Sequence, residues 1–120
     1  MLKLVTLIPR KPGTTRDQFI DHYENRHVPL THSHFSQFCR YVRNYPTGGN
    51  LHYAGMSAIP DAPFDAIIER WFESHADFDA MMCQFAADPE VARQVAEDEA
   101  RLCDTGQTVM FMVEERESVL

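Results

Sequence analysis

LKLVTLIPRKPGTTRDQFIDHYENRH, residues 2–27, reads as a strand, a turn and a helix, and the rest of the chain repeats that alternation. Leu2–Ile8 is a short, mostly apolar run rich in Leu, Val and Ile, the pattern of a largely buried strand. Arg10–Gly13 then turns the chain. Thr15 stands three residues before Gln18, the spacing of a capping box. There the hydroxyl accepts from a first-turn amide while the Gln side chain reaches back. A helix is expected from about 16 to 28. Phe19, Ile20, Tyr23 and His27 share one face of it, and Asp17, Asp21 and Glu24 lie largely elsewhere. Pro29 disfavours continuation, except as one more turn beyond a kink.

Further on, residues 38–45 (FCRYVRNY) are aromatic and β-branched, with Pro46 behind them, and predict a second strand. Residues 46–63 form a long loop with three Gly and three Pro, of the kind often used as a lid or binding loop. Residues 64–73 (FDAIIERWFE) predict a third strand. One of its faces carries Asp65, Ile67, Glu69 and Trp71, the other Ala66, Ile68, Arg70 and Phe72. Ser74 begins a helix bearing Phe78, Met81, Met82 and Phe85. Asp88–Pro89 caps and starts a second helical piece that runs to about Leu102. Gly106 ends it, and 108–114 (TVMFMVE) is the last strand.

The order is β-α-β-β-α-β, which is α+β and ferredoxin-like: an antiparallel four-stranded sheet with both helices on one face. The other sheet face still carries large apolar side chains, and no chain is left to cover it. A homodimer through that face is the economical answer. Residues 1–120 are read as one domain, with no repeat or linker. A net charge of −7 argues against nucleic acid and anionic membrane surfaces as partners. Cys39, Cys83 and Cys103 are scattered and odd in number, so reduced thiols are expected. The N-terminal apolar run is too short for a signal peptide or a bilayer span, and a cytoplasmic location is expected.

Residues 8–30, IPRKPGTTRDQFIDHYENRHVPL, resemble the opening of EthD-domain proteins: a basic-Pro-Gly turn, a helix with Phe and a second aromatic residue, and His before a small residue and Pro. Arg40–Asn44 resembles the family's second strand, Glu69–Ser74 its third strand and following helix start, and Ala96–Arg101 a late helical segment. Arg43 stands where the family is expected to carry an uncharged amide, and the histidines at 27, 32 and 34 are more numerous than its pattern. The resemblance implies a dimeric α+β barrel, two subunits packed sheet to sheet. It leaves the reaction open, since relatives in that superfamily include cofactor-free cyclases, isomerases, oxygenases, dehydratases and decarboxylases, and some distant ones bind haem.

His27 is the leading candidate for chemistry. An imidazole exchanges protons near neutral pH, and this one sits on an apolar helix face; a core histidine satisfied by a carbonyl or carboxylate is the plain alternative. Tyr23, one turn earlier, is either a donor to a developing enolate oxygen or a core aromatic. The Glu69 face of strand three is favoured to meet the first helix, where Glu69 would orient or charge-stabilise His27 and Trp71 stack on a planar substrate; the opposite parity makes Trp71 an interface anchor, pairs Glu69 with an arginine and puts Arg70 in the pocket. Tyr41 and Asn44 lie on opposite strand faces, and Tyr41 is favoured as the pocket residue. Phe19 shares the His27 face and, with Met82 and Phe85 on the second helix, is expected to supply apolar pocket wall. His32 and His34 read as polar helix-end residues, and His27-x4-His32-x-His34 is not a standard ligand spacing, so no metal and no cofactor is expected. His52, Tyr53 and Met56 could close the long loop over a ligand or simply lie at the surface.

The expected activity is a cofactor-independent lyase, isomerase or cyclase step on a hydrophobic, oxygenated small molecule. His27 would move a proton next to a carbonyl. The competing readings are a cofactor-free or haem-dependent oxygenase, and a non-catalytic small-molecule-binding protein.

Overall fold

The computed structural model describes all 120 residues. It contains β1 (Leu2–Ile8), α1 (Arg16–His22), a π-helical turn (Tyr23–His27), α2 (Val28–His34), β2 (Arg40–Asn44), β3 (Ala66–Phe72), α3 (His75–Ala87), α4 (Pro89–Leu102) and β4 (Val109–Val113). The four strands form one antiparallel sheet in the order β2-β3-β1-β4, the ferredoxin-like arrangement.

Local chemistry fixes the helix starts. At α1 both halves of the capping box are present: Gln18 N–H donates to Thr15 Oγ1 (3.1 Å) and Thr15 N–H to Gln18 Oε1 (2.9 Å). Ser74 caps α3, and Asp88 Oδ1 accepts from Val91 N–H (3.2 Å) ahead of the α4 proline turn.

The register defines the two faces of the sheet. Leu4, Thr6 and Ile8 stand opposite Arg70, Ile68 and Ala66, and this set faces the helices. Phe19, Tyr23 and Leu102 come down on Ile8, Ala66 and Ile68 as the main core, with Tyr23, Ala66 and Ile68 fully buried. A second cluster of Phe35, Val91 and Val95 sits between α2 and α4, flanked by Met81 and Phe85. The other face carries Lys3, Glu69 and Trp71 and a row of partly exposed apolar groups that includes Ile67, Val109 and Phe111.

Two expectations need correction. First, the helix does not end near residue 28: it passes through the π-turn and past Pro29 to His34. Val28 N–H bonds to Tyr23 O, one residue further back than in an α-helix. Pro29 therefore falls in the first turn of α2, where a missing N–H costs little. Second, the parity of β3 is the reverse of that favoured. Glu69 and Trp71 lie on the helix-free face, where Glu69 meets Lys3 Nζ (2.5 Å) and Asn44 Nδ2 (2.8 Å). Trp71 is flanked by Lys3 and Arg40 and donates its Nε1–H to Glu115 Oε1 (3.2 Å). The long loop, read above as either a lid or a surface segment, lies at the surface. It carries a Leu51–Ala58 bridge and a short 3-10 turn at Ala54–Met56, and Tyr53 (96% exposed) and Met56 point to solvent.

Arg43, the departure from the family pattern, has a structural partner. Its guanidinium grips both oxygens of Glu24 (2.8 and 2.7 Å), and Tyr45 Oη donates to the same carboxylate (2.6 Å). This bidentate pair ties the π-turn to the second strand.

Candidate active site

Between the helices and the sheet lie two adjoining cavities of about 250 and 290 Å³, which share His27, Arg70, Glu99 and Met110 as wall. The first is an apolar chamber whose wall includes Phe35, Phe38, Met81, Met82 and Phe85. The second is more polar, with Thr6, Tyr23, Thr105 and Thr108 around it.

His27 stands at the junction, 4% exposed. Its Nδ1 is 2.9 Å from Asp98 Oδ2, while the other carboxylate oxygen of Asp98 takes His22 Nε2 at 2.7 Å. A carboxylate only accepts, so Nδ1 of His27 carries the proton and Nε2 is the ring nitrogen left for the cavity. The π-turn makes this double grip possible. At about 100° per residue, residues five apart on an α-helix diverge by about 140°. The wider turn, bonded i to i+5, brings His22 and His27 to one side. Tyr23 is held beside them, its ring centroid 4.9 Å from that of His27.

Burial holds the His27 imidazole below the ordinary histidine value, against the opposing pull of Asp98. The ring is therefore neutral at neutral pH, the form a general base needs. Burial pushes the Tyr23 phenol well above its ordinary value, so it stays a hydroxyl. Tyr23 Oη is 2.8 Å from Tyr41 Oη, and Arg70 Nη2 donates to Tyr41 Oη (3.3 Å), a chain of polar groups ending beside the cavity. Burial also pushes the Glu99 carboxyl up, with Arg70 opposing.

The residues singled out from sequence separate into three groups. His27, Tyr23, Met82 and Phe85 line the cavities. Tyr41 lies one hydrogen bond behind them, through Tyr23 and Arg70. Phe19, Glu69 and Trp71 do not reach the site. Phe19 is a core residue packed on Tyr23 and Tyr45, because its earlier place on the helix sets it over the sheet interior; the other two are on the far sheet face. His32 lies apart, its ring against Phe38 and Tyr41. Asp98, Glu99 and Thr6 also belong to the site, although their sequence context did not single them out. A signal for Asp98 did exist: Val91, Val95, Asp98 and Leu102 fall at i, i+4, i+7 and i+11, so the acid sits on the buried stripe of α4.

The model of the EthD domain family matches residues 11–106. Among solved structures, an EthD family protein from Bacillus halodurans C-125 superposes with a TM-score of 0.64 at 16% identity, over 97% of this chain and 100% of that one. An EthD-like protein from Ralstonia eutropha JMP134 gives 0.62 at 22% identity, over 94% and 89% of the two chains. HapK from Hahella chejuensis gives 0.59 at 14% identity, over 100% and 97%. At these identities the likeness speaks for the fold. No curated protein sequence matches the chain. No helix is long and apolar enough to cross a membrane.

Proposed function

We propose that this chain, which belongs to the EthD domain family, is a cofactor-independent lyase, isomerase or cyclase. It would move a proton next to a carbonyl of a hydrophobic, oxygenated small molecule. The observation that carries the reading is the His27–Asp98 pair: a buried, neutral imidazole with one nitrogen tied down and the other toward a mostly apolar chamber.

The chemistry follows from the neighbours. His27 Nε2 takes the proton from the carbon beside the carbonyl, and Asp98 stabilises the imidazolium that results. Negative charge then develops on the carbonyl oxygen. The Tyr23 hydroxyl and the Arg70 guanidinium, both in the cavity wall, are donors suited to meet it. The enolate then takes that proton back at another carbon (isomerisation), breaks its bond to a β-hydroxyl that leaves with the proton as water (dehydration), or forms a bond to a second carbonyl carbon whose alkoxide takes the proton (cyclisation).

Surrogate ligands test the reading without the natural substrate. Aryl 1,3-diketones and aromatic lactones that raise the melting temperature are incubated with the protein in D2O. Deuterium uptake at the enolisable carbon is followed by NMR. The protein should catalyse exchange, and His27→Gln should lower the rate by roughly 10²–10⁴ while leaving the ligand-induced stabilisation in place. Stabilisation by ligands with no exchange in the native protein would discard the enzyme reading in favour of a binding protein.

The subunit is expected to work as a homodimer. Ile67, Val109 and Phe111 are partly exposed on the helix-free face, and packing a second sheet there closes the α+β barrel.

A further inference from the structure

Arg70 is unusual among the cations of this chain. Lys3, Arg10, Arg16, Arg43, Arg93 and Arg116 each have a carboxylate within 4.0 Å. Of the five that do not, Lys11, Arg26, Arg40 and Arg101 are exposed, and only Arg70 is withdrawn from the surface. Its guanidinium lies 4.6 Å over the Tyr41 ring and gives one hydrogen bond, to Tyr41 Oη. A guanidinium has five donors, so most are left without a partner in the protein, and the side chain lines both chambers. Thr6 is a second group with unused capacity. It neighbours Arg70 diagonally across the β1–β3 ladder and is 7% exposed, and its Oγ1 is buried with no hydrogen-bond partner in the protein. Both side chains line the polar chamber.

We propose that the polar chamber is a carboxylate-recognition subsite, in which Arg70 and Thr6 hold the anionic head of a ligand whose flat apolar body lies in the adjoining chamber. This deepens the reading of the cavity as a substrate site by adding a second functional group to the ligand. Arg70 supplies the charge and a planar fork of donors, and Thr6 supplies a hydroxyl that the fold leaves free. The neighbouring chamber, walled by Phe35, Phe38, Met82 and Phe85, suits an aromatic body.

The site also carries its own pH response. Facing Arg70 are Glu99 from α4, Tyr41 from β2, and Tyr23 and His27 from the π-turn; Asp98 stands behind His27, and Cys103 lies beside Glu99. An ionised Glu99 would compete with the ligand for Arg70. A protonated one adds a donor to the carboxylate. Anion binding is therefore coupled to a proton on Glu99, and affinity falls as pH rises and that proton is lost.

The probes are 2-naphthoate and its neutral isostere 2-naphthamide, titrated calorimetrically into the full-length protein. The native protein should prefer the naphthoate by about tenfold or more. Arg70→Gln should abolish that preference while keeping the amide affinity, which also shows that the variant is folded. Thr6→Val should weaken naphthoate several-fold and leave the amide unchanged. Between pH 5 and 8, naphthoate should bind less tightly to the native protein as pH rises, and Glu99→Gln should flatten that slope. His27→Gln should retain the preference, so the subsite and the base reading stand or fall separately. Equal binding of the two probes, binding of neither at millimolar concentration, or a preference that survives Arg70→Gln overturns the proposal.

Discussion

Asp98→Asn is the substitution that probes the site most sharply. One carboxylate accepts from two rings, His27 Nδ1–H at 2.9 Å and His22 Nε2–H at 2.7 Å. An asparagine offers one acceptor and one donor to the same two positions, so one ring must reverse its tautomer. Hydrogen bonds to a charged group contribute about 1.5–3 kcal/mol, and neutral ones about 0.5–1.5 kcal/mol. Two such exchanges in a mostly buried site amount to a loss of about 2 kcal/mol, measurable by urea unfolding at pH 7. The deficit should grow on acidification. His27 is held below the ordinary 6.5 by burial, with Asp98 opposing. Between its folded value and 6.5 the unfolded chain binds the extra proton, so stability rises with pH across that window. Removing the Asp98 charge lowers the folded value further and widens the window, which makes the variant's loss larger at pH 5 than at pH 7. Nitrogen-15 NMR of the histidine rings reads the tautomers directly. If both rings keep their protonation pattern and stability is unchanged, the paired-histidine account of the site is wrong.

Glu99→Gln should stabilise the protein at neutral pH. The folded value of Glu99 is raised above 4.5 by burial, so the folded state holds the extra proton in that window and native stability falls as pH rises through it. The variant should match the native protein near pH 4 and overtake it toward pH 7, by thermal unfolding across pH. Phe111→Lys, on the helix-free face of β4, should yield a folded monomer by sedimentation, because it sets like charges near each other across a two-fold interface; an unchanged dimer would place the contact elsewhere.

The strands and caps were legible because their signals are local. The apolar run Leu2–Ile8, the Thr15–Gln18 box and the Asp88–Pro89 start each act within a few residues, and each occurs where expected. The parity of β3 was not legible. Alternation splits it into Ala66, Ile68, Arg70 and Phe72 against Ile67, Glu69 and Trp71, and each set mixes apolar groups with one charge. Packing decides: Ala66 and Ile68 fit beneath Phe19 and Tyr23, while Trp71 finds an indole partner in Glu115, near the C-terminus. Asp98 and Glu99 were hidden for a different reason. They follow Glu97 in a row of three acids that reads as a solvated face, and the stripe through Val91 and Val95 is what turns the last two inward. The π-turn was obscured by Pro29, whose ordinary meaning is a helix stop.

That turn bears on how the gene can vary. A deletion of one residue from Glu24–Arg26 lets the segment revert to an uninterrupted α-helix, in which His22 and His27 stand four positions apart, about 40° from one another, and everything after them keeps its phase. His22 and His27 would both stay on the Asp98 side, and α2 would keep its direction down to Phe35. A one-residue insertion has no such release and turns His27 and α2 by about 100°, so a length library should accept a deletion here and reject an insertion: the phase between His22 and His27, rather than the residue count, determines this site.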